Sequence, residues 1–286
     1  MADLGMETRL YEIEITPQIL AQLQSIQLEC LAELDRICRK YQIDYSIDGG
    51  TLLGAVRHKG FIPWDDDIDV IMVRGEYEKF FEVCKTDLDT KHFFLQEHRT
   101  DKYYRVGYPR IKRNNTTYVR AGQEKSKQHQ GVQIDVFVLD NMPNNYIARR
   151  LHRALTFFFR KILWSRTGKV ASASAIQRVS YSLLDLLPAS FAFWGFDALA
   201  KITNRKPTEL VRHYAMTYPN PKINGYGTPS YLLNSFTELE FEGHTFMAVA
   251  EYDRYLSLLY GDYMQLPPEG ERKPHIHLSK FIGVQK

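Results

Sequence analysis

Apolar residues recur every three or four positions in the first clear helical segment of the chain. Residues at this spacing share one face of an α-helix, so the pattern predicts a helix over residues 16–41 with one buried stripe. Thr16 is a suitable N-cap, and Pro17 is typical of a first helical position. The residues of the stripe are Leu23, Ile26, Cys30, Leu34, Ile37 and Tyr41.

Short apolar segments then alternate with helical ones. A strand at 45–48 precedes Gly49-Gly50 and an apolar helix at 51–56, and a buried strand is predicted over 67–73. The alternation predicts an α/β (α+β) core, a mixed sheet flanked by helices. The remaining elements predicted for this part are a helix at 75–86 and strands at 92–96, 104–112, 116–120 and 132–139.

The second half of the chain has a different character. Residues 145–217 are rich in Leu, Phe, Ala, Ser and Arg without a strand pattern, which predicts a helical insert. A β-hairpin is predicted at 236–248, a helix at 249–260 that Gly261 stops, and an irregular tail after Leu266. The chain therefore divides into three parts. They are an α/β core (1–144), a helical insert (145–230) and a C-terminal hairpin, helix and tail (231–286) that complete the core domain.

Composition narrows the class of protein. The chain has 286 residues, of which 44% are apolar and 25% charged, as in a globular protein with a core. Its three cysteines lack a CxxC spacing, which argues against a disulfide scaffold or a structural zinc site. No apolar run reaches 18 residues and no secretory signal begins the chain, so we expect a cytoplasmic protein. The net charge of +3 is too small to require a nucleic-acid partner.

Three aspartates stand in strands that are otherwise apolar. Alternate residues of a strand share a face, so Asp67 and Asp69 are predicted to point the same way. Asp135 lies in the apolar strand at 132–139 and completes a three-carboxylate pocket if the two strands are neighbours. Oxygen ligands of this kind suit Mg²⁺, with Mn²⁺ also compatible. The alternatives are turn-capping aspartates or a calcium loop, but the Gly and Glu of an EF-hand loop are missing.

Residues suited to phosphate flank these aspartates. Gly49, Gly50 and Thr51 link a strand to a helix, where backbone N–H groups favour anions. Arg57 follows at the end of that helix, and Arg110 and Lys112 share one face of a later strand. The alternatives are a structural turn, a solvated basic helix end and an ordinary polar strand face. The residues named above are therefore candidates for binding a diphosphate.

These segments resemble a known family. The run from Asp48 to Val70 is similar to the signature of LicD-type phosphotransferases, within the nucleotidyltransferase-fold superfamily. Segments 110–117, 131–140 and 260–268 also resemble the family, and so do Arg272 and His275. The resemblance covers roughly residues 25–140 and 230–277. One departure is that the histidines near the end are His275 and His277, whereas the family pattern often has two adjacent histidines.

The resemblance implies a nucleotidyltransferase-like fold and a reaction. Bacterial members transfer phosphocholine from CDP-choline to sugar hydroxyls of teichoic acids or other surface glycans, and the eukaryotic relatives fukutin and fukutin-related protein transfer ribitol phosphate. By this likeness Asp67 and Asp69 hold the metal on the donor diphosphate. Asp135 completes the metal site and activates the sugar hydroxyl as a general base. Arg272 and His275 join the donor-binding residues. The donor head group, whether choline, ribitol or glycerol, stays open.

A choline head group carries a fixed positive charge, which aromatic faces hold well. Trp64, Tyr108, Tyr231 and Tyr263 lie in or beside the matched segments and are candidates for this role, with packing as the alternative. The acceptor is expected to be a bulky glycan, either free or lipid-linked. Residues 155–166 mix large apolar side chains with basic ones, which fits either a peripheral contact with the inner face of the membrane or a buried helix.

Three other functions fit parts of the pattern. A nucleotidyltransferase that moves NMP from an NTP to a small molecule, protein or RNA would use the same carboxylates. A non-catalytic nucleotide-binding module would not need the intact set of three acids. A nucleic-acid binder is disfavoured because no run of Arg and Lys is present.

Overall fold

The computed structural model describes residues 12–172, 174–215 and 227–284, the side chain of Ala171 excepted. Helices and strands alternate through the first half, and helices dominate from residue 146 to 203. The helices are α1 (Pro17–Tyr41), α2 (Gly49–His58), α3 (Arg74–Asp87), α4 (Tyr146–Ala171), α5 (Ala175–Leu184), α6 (Ala189–Thr203) and α7 (Tyr252–Tyr260). Short 3₁₀ turns occupy Ser230–Leu233 and Glu269–Glu271.

A mixed sheet forms the centre of the molecule and confirms the α/β (α+β) class. Its main path runs β1-β2-β6-β4-β3, in which only β2 and β6 are parallel, and β7 and β8 extend it beside β6. The strands are β1 (Ser46–Ile47), β2 (Asp69–Val73), β3 (Phe93–Gln96), β4 (Arg110–Arg113), β5 (Thr117–Arg120), β6 (Gln133–Asn141), β7 (Leu210–His213), β8 (Thr228–Pro229), β9 (Phe236–Phe241), β10 (His244–Val249) and β11 (Leu278–Ile282).

The first helix follows its predicted pattern. The Thr16 hydroxyl accepts a hydrogen bond from the Ile19 N–H at 3.3 Å, and the left-handed residue Gln42 caps the other end. The predicted stripe is buried from Leu23 to Ile37, whereas Tyr41 is exposed. Helix α1 packs against α3, β4 and β6, so it covers the face of the sheet opposite the aspartates.

Three sequence predictions about elements are wrong. Asp67 lies before β2, which begins at Asp69, so the two aspartates are not on one strand. The strand predicted from residue 104 begins only at Arg110, because Pro109 has no N–H to donate to a ladder. The segment 145–217 is not wholly helical, because β7 lies in it and pairs with β6. Its last two residues, 216 and 217, lie outside the described residues.

The C-terminal segment is more regular than predicted. The hairpin of β9 and β10 is confirmed, with Glu242 and Gly243 at its turn. The tail is not irregular throughout, because β11 pairs antiparallel with β5. This pairing buries Leu278 with Leu23 and Tyr118 in a small cluster. The tail therefore closes back on the N-terminal helix.

Two larger apolar clusters hold the fold together. The main cluster joins the sheet to α1, α2, α3 and α7. The second lies under the helices of residues 146–203 and includes Tyr104, Phe159, Ile162, Phe193 and Phe196. Within the described ranges, no single helix has the length and apolar content to cross a bilayer, although α5 and α6, bent by 78° at their junction, meet these criteria as a pair.

Candidate active site

A row of four polar residues crosses the central sheet on one face. Gln96 on β3 pairs in register with Arg110 on β4, Arg110 pairs with Asp135 on β6, and Asp135 pairs with Asp69 on β2. Register partners project from the same face of a sheet. Asp69 and Asp135 therefore share a face of adjacent strands, as the sequence required for a common site.

Asp135 is held by two hydrogen bonds. The Arg110 Nε donates to its Oδ1 at 2.9 Å, and the Gln133 Nε2 donates to the same oxygen at 2.8 Å. Arg110 and Asp135 are almost fully buried, at 4% and 6% exposure. Burying a charged pair is costly unless both partners are satisfied, so this arrangement fixes the position of the carboxylate.

Lys112 extends this network and lies on the face of Arg110, as predicted. Its Nζ donates to the Gln133 Oε1 and, at 3.1 Å, to the Gly131 carbonyl. Desolvation, followed by the nearby Arg110 charge, holds the pKa of Lys112 well below its ordinary value. Lys112 is therefore linked to Asp135 indirectly, because the Gln133 side chain hydrogen-bonds to both residues.

The Gly49-Gly50 turn touches two carboxylates. Helix α2 begins at Gly49, which has a φ of +54°, and a Cβ there would lie 3.5 Å from Asp69 Oδ2. A Cβ on Gly50 would lie 2.6 Å from Asp65 Oδ2, closer than side-chain carbons approach an oxygen. Gly50 is therefore needed for the close approach of Asp65, and Gly49 for the left-handed backbone of the turn.

Thr51 anchors the start of strand β2. Its buried hydroxyl accepts a hydrogen bond from the Asp69 N–H at 3.0 Å. The Asp48 N–H in turn donates to the Asp69 carbonyl at 2.9 Å. These bonds hold the Asp69 backbone against the first turn of α2, and a phosphate contact by Thr51 stays a prediction.

Several aspartate carboxylates lie close enough to one another beside the Gly49-Gly50 turn to raise their pKa values. Burial, and then Asp67 and Asp66, raise the pKa of Asp65 to about 8. Burial, and then Asp66 and Asp135, raise the pKa of Asp67 to about 7. Burial and the neighbouring Asp67 and Asp135 raise the pKa of Asp69 well above its ordinary value. A positive charge bound here would relieve the repulsion.

Three more residues belong to the site, of which Arg120 was indicated only as one of several basic residues in 105–120. Asp65 precedes the predicted strand, where a turn or supporting role is at least as expected as metal ligation, yet its Oδ2 is buried without a hydrogen-bond partner. Arg120 on β5 lowers the pKa of Asp67, and its buried Nε also has no partner. The Tyr260 hydroxyl would lie 3.6 Å from a Cβ on Gly49, and its pKa is raised by burial and then by Asp48 and Asp69. Only the place of Tyr260 in the family-like segment 260–268 signalled it.

The carboxylates suit a divalent cation in charge and in ligand chemistry. Oxygen-only donors that repel one another, one of them an unpaired buried oxygen, are what a hard cation stabilises. Among the described residues, however, no three His, Cys, Asp or Glu side chains already form a ligand set. One oxygen of Asp135 is instead bound by Arg110. A three-aspartate metal site would therefore use the other oxygen, Oδ2, because both hydrogen bonds to Asp135 go to Oδ1.

The C-terminal tail docks beside the acidic loop. The Asp66 Oδ2 accepts the backbone N–H groups of His275 at 2.6 Å and Ile276 at 2.9 Å. Arg272 lies with its guanidinium carbon 5.9 Å from the centre of the Trp64 ring, and its Nε donates to the Pro267 carbonyl. Arg272 and the His275 backbone are therefore next to the loop that carries the aspartates, while the His275 side chain is exposed.

Arg57 and the remaining aromatic candidates occupy separate positions. Arg57 donates to the Tyr263 carbonyl at 2.9 Å, and the buried Tyr263 donates its hydroxyl to Asp253. Tyr108 packs on Phe137, and its hydroxyl accepts from Arg110 at 3.3 Å. The exposed Tyr231 has the Arg254 guanidinium over its ring. In the part of the chain that the structure describes, no two of the four candidate rings stack on each other.

Comparison with known proteins places these residues in a family. A family model described as LicD/FKTN/FKRP, nucleotidyltransferase domain, matches residues 42–164. The lipopolysaccharide cholinephosphotransferase LicD of Haemophilus influenzae is 33% identical over 271 residues, covering 88% of this chain and 95% of that protein. An uncharacterized protein of Rickettsia prowazekii is 36% identical over 76 residues (20% of this chain, 29% of that protein). One of Rickettsia typhi is 48% identical over 55 residues (19% and 18%).

Proposed function

Since this chain belongs to the LicD family and is a transferase, we propose that it transfers phosphocholine from CDP-choline to a sugar hydroxyl of a cell-surface glycan precursor. The observation that supports this proposal most is the register pairing of Asp69 with Asp135 beside the Gly49-Gly50 turn. The name of the H. influenzae relative gives lipopolysaccharide as its acceptor. A lipopolysaccharide or teichoic acid precursor is therefore the first acceptor to test.

The site is proposed to bind one or two divalent cations, Mg²⁺ or Mn²⁺. Asp67, Asp69 and Asp135 would hold the metal, and a bound cation would neutralise charge on the donor diphosphate. The raised pKa values of Asp67 and Asp69 support this, because both reflect carboxylates that lack a compensating charge. Asp65, next to Gly50, is a fourth oxygen donor in reach of the same loop.

The reaction is an in-line displacement at phosphorus. The sugar hydroxyl attacks the choline-side phosphorus, the bond to the bridging oxygen breaks, and CMP leaves with the electron pair. We propose Asp135 as the base that accepts the hydroxyl proton, with Arg110 and Gln133 holding its Oδ1 in place. Arg57, Lys112, Arg272 and His275 are retained as proposed donor-binding residues.

Aromatic contact is the proposed basis of choline recognition. Trp64 supports this best, because its ring lies in the acidic loop and is already contacted by the Arg272 guanidinium at 5.9 Å. A choline cation would take the place of that guanidinium over the ring. Tyr108 is the second choice, since it adjoins Arg110 and Asp135.

A donor screen tests the proposal directly. Purified protein with Mg²⁺ and a glycan acceptor is offered CDP-choline, CDP-ribitol, CDP-glycerol or labelled NTPs, and CMP or pyrophosphate release is measured. We expect acceptor-dependent CMP release that is fastest with CDP-choline. Pyrophosphate release from an NTP, with no CMP from any CDP donor, would instead establish a nucleotidyltransferase.

Metal binding can be measured apart from turnover. Titration of Mn²⁺ into the wild-type protein, followed by calorimetry, should give binding that Asp69→Asn weakens at least about tenfold. Glu82→Gln, an exposed change on α3, serves as the control and should bind like the wild type. Equal Mn²⁺ affinity in Asp69→Asn and wild type would remove Asp69 from the metal site.

A further inference from the structure

Helix α5 turns its apolar face away from the protein. Ile176, Val179 and Leu183 follow a helical spacing and are 80%, 62% and 63% exposed. On the opposite side of the helix, Tyr181 packs against Gly168 of α4 and accepts a hydrogen bond from Lys161 at 2.9 Å. None of the described residues of α5 is buried. The helix is thus docked through Tyr181 and Leu184, while Ile176, Val179 and Leu183 face away from the protein.

The two flanking helices also expose large apolar residues. On α4, Ile147 and Leu151 lie one turn apart and are 76% and 61% exposed. On α6, Trp194 is 64% exposed, whereas Phe193 and Phe196 on the other side of the helix are buried. Large exposed apolar side chains on three successive helices are typical of an interaction site.

The same segment carries a large excess of positive over negative charge. Residues 146–206 contain eleven Lys and Arg and two acidic residues, a net charge of +9, while the whole chain has +3. One of the acidic residues, Asp185, is already paired with Lys169 and Arg166. The remainder of the protein therefore has a net charge of −6, and the partner of this surface must be anionic.

From these features we infer that the outer surface of α4, α5 and α6 binds an anionic lipid bilayer as a peripheral membrane surface. Exposed Ile, Val and Leu side chains gain free energy in acyl chains, and Trp suits the headgroup level. Basic residues around them are attracted to anionic headgroups. A second copy of the chain is a poor occupant because two surfaces of net charge +9 repel. This inference goes beyond the transfer reaction and does not depend on it.

Vesicle sedimentation with the purified full-length protein tests the inference. The protein should bind vesicles of phosphatidylcholine mixed with phosphatidylglycerol at least about tenfold more tightly than vesicles of phosphatidylcholine alone. High salt should release it, because screening weakens the attraction of exposed charges. Absence of binding to both vesicle types would overturn the inference.

Two sets of variants separate the apolar and basic contributions. Ile176→Ser/Val179→Ser/Leu183→Ser should weaken vesicle binding at least about tenfold, since three side chains lose their transfer free energy. Arg178→Gln/Lys201→Gln/Arg205→Gln should weaken it about fivefold for each charge removed. All six residues are exposed, so the thermal unfolding midpoint should not change in either variant.

Matched controls lie elsewhere on the surface. Met264→Ser, at a residue 57% exposed, and Lys125→Gln, at an exposed residue, should leave vesicle binding unchanged. Sedimentation equilibrium would reveal the competing occupant. A dimer that the Ser variant abolishes, with no change in vesicle binding, would show that a second copy covers this face. CMP release with a soluble acceptor is measured separately, so neither outcome bears on the proposed reaction.

Discussion

Arg110 and Asp135 are register partners on adjacent antiparallel strands, and the guanidinium Nε donates to the carboxylate Oδ1 at 2.9 Å. Both side chains are buried, so removing either one leaves the other as a buried charge without its ionic partner. The pair also sets where Asp135 stands relative to Asp69. The carboxylate that accepts this stabilising hydrogen bond is therefore also the group proposed to act in the reaction.

We expect Arg110→Gln to destabilise the protein by about 3–5 kcal/mol, because it leaves Asp135 buried without its cation. Urea unfolding would measure the loss. The double variant Arg110→Gln/Asp135→Asn should recover most of it, since both charges are then gone. Lys85→Gln, which breaks an exposed pair with Glu82, should be nearly neutral. An Arg110→Gln protein as stable as the wild type would contradict this account of the pair.

Asp69→Asn should change activity and stability in opposite directions. Loss of a proposed metal ligand should lower the rate of CMP release by about a thousandfold or more. Without metal the same variant should melt at a higher temperature, because a carboxylate repelled by Asp67 and Asp135 has been removed. Asp67→Asn should likewise lower the rate of CMP release and raise the melting temperature without metal. Wild-type turnover in either variant would refute the metal role of that residue.

The pH dependence of stability should reflect the acidic loop. The folded-state pKa values of Asp65 and Asp67, about 8 and about 7, lie above the ordinary value of 3.8. The folded state therefore binds more protons than the unfolded state between these limits, and the free energy of unfolding due to these groups falls as pH rises to about 8. Melting in EDTA from pH 6.5 to 8 should show this fall, and Mg²⁺ should reduce it.

Other groups act with the opposite sign, so a variant must isolate the effect. The pKa of His213 is lowered to about 3 and that of His152 to about 4 by burial and then by neighbouring arginines, so both favour the folded state as pH rises to 6.5. Between pH 6.5 and 8 this opposing effect fades, because the histidines of the unfolded chain lose their remaining protons. Asp65→Asn/Asp67→Asn should therefore flatten the fall between pH 6.5 and 8. An unchanged slope in that variant would show that other groups cause it.

Gly50→Ala should lower activity more than stability. The added methyl must displace the Asp65 Oδ2, the end of a side chain, so we expect a loss of turnover of about tenfold with less than about 1 kcal/mol of destabilisation. Gly54→Ala is the structural contrast, because its Cβ would meet the Gly60 carbonyl at 2.4 Å and should cost about 1–3 kcal/mol.

Gly75→Ala is the control for both glycine variants. No heavy atom lies within 4 Å of a Cβ built there, and the residue is in helix α3, where Ala is favoured over Gly by about 0.5–1 kcal/mol. It should keep full turnover and a slightly raised unfolding midpoint. If Gly50→Ala matched this control in CMP release, the approach of Asp65 to the turn would have no part in activity.

Local patterns along the chain were sufficient for several elements. The spacing of three and four predicted α1 and the face it buries, because a helix repeats within its own sequence. The hairpin of β9 and β10 was predicted since its strands and turn are contiguous. Short motifs within the sequence were likewise enough to name the Gly49-Gly50 turn and the three aspartates Asp67, Asp69 and Asp135 as candidates.

Tertiary structure alone decided which of these residues meet. Strand β7 joins the central sheet from within a mostly helical segment, and β11 pairs with β5 across 160 residues, which no local period encodes. The bond from Arg110 to Asp135 and the approach of Tyr260 to Gly49 depend on such long-range pairing and packing. The sequence by itself determined the acidic motif and its apolar strands. The structure decided the partners of each carboxylate, because hydrogen-bond register and burial arise only when distant segments pack together.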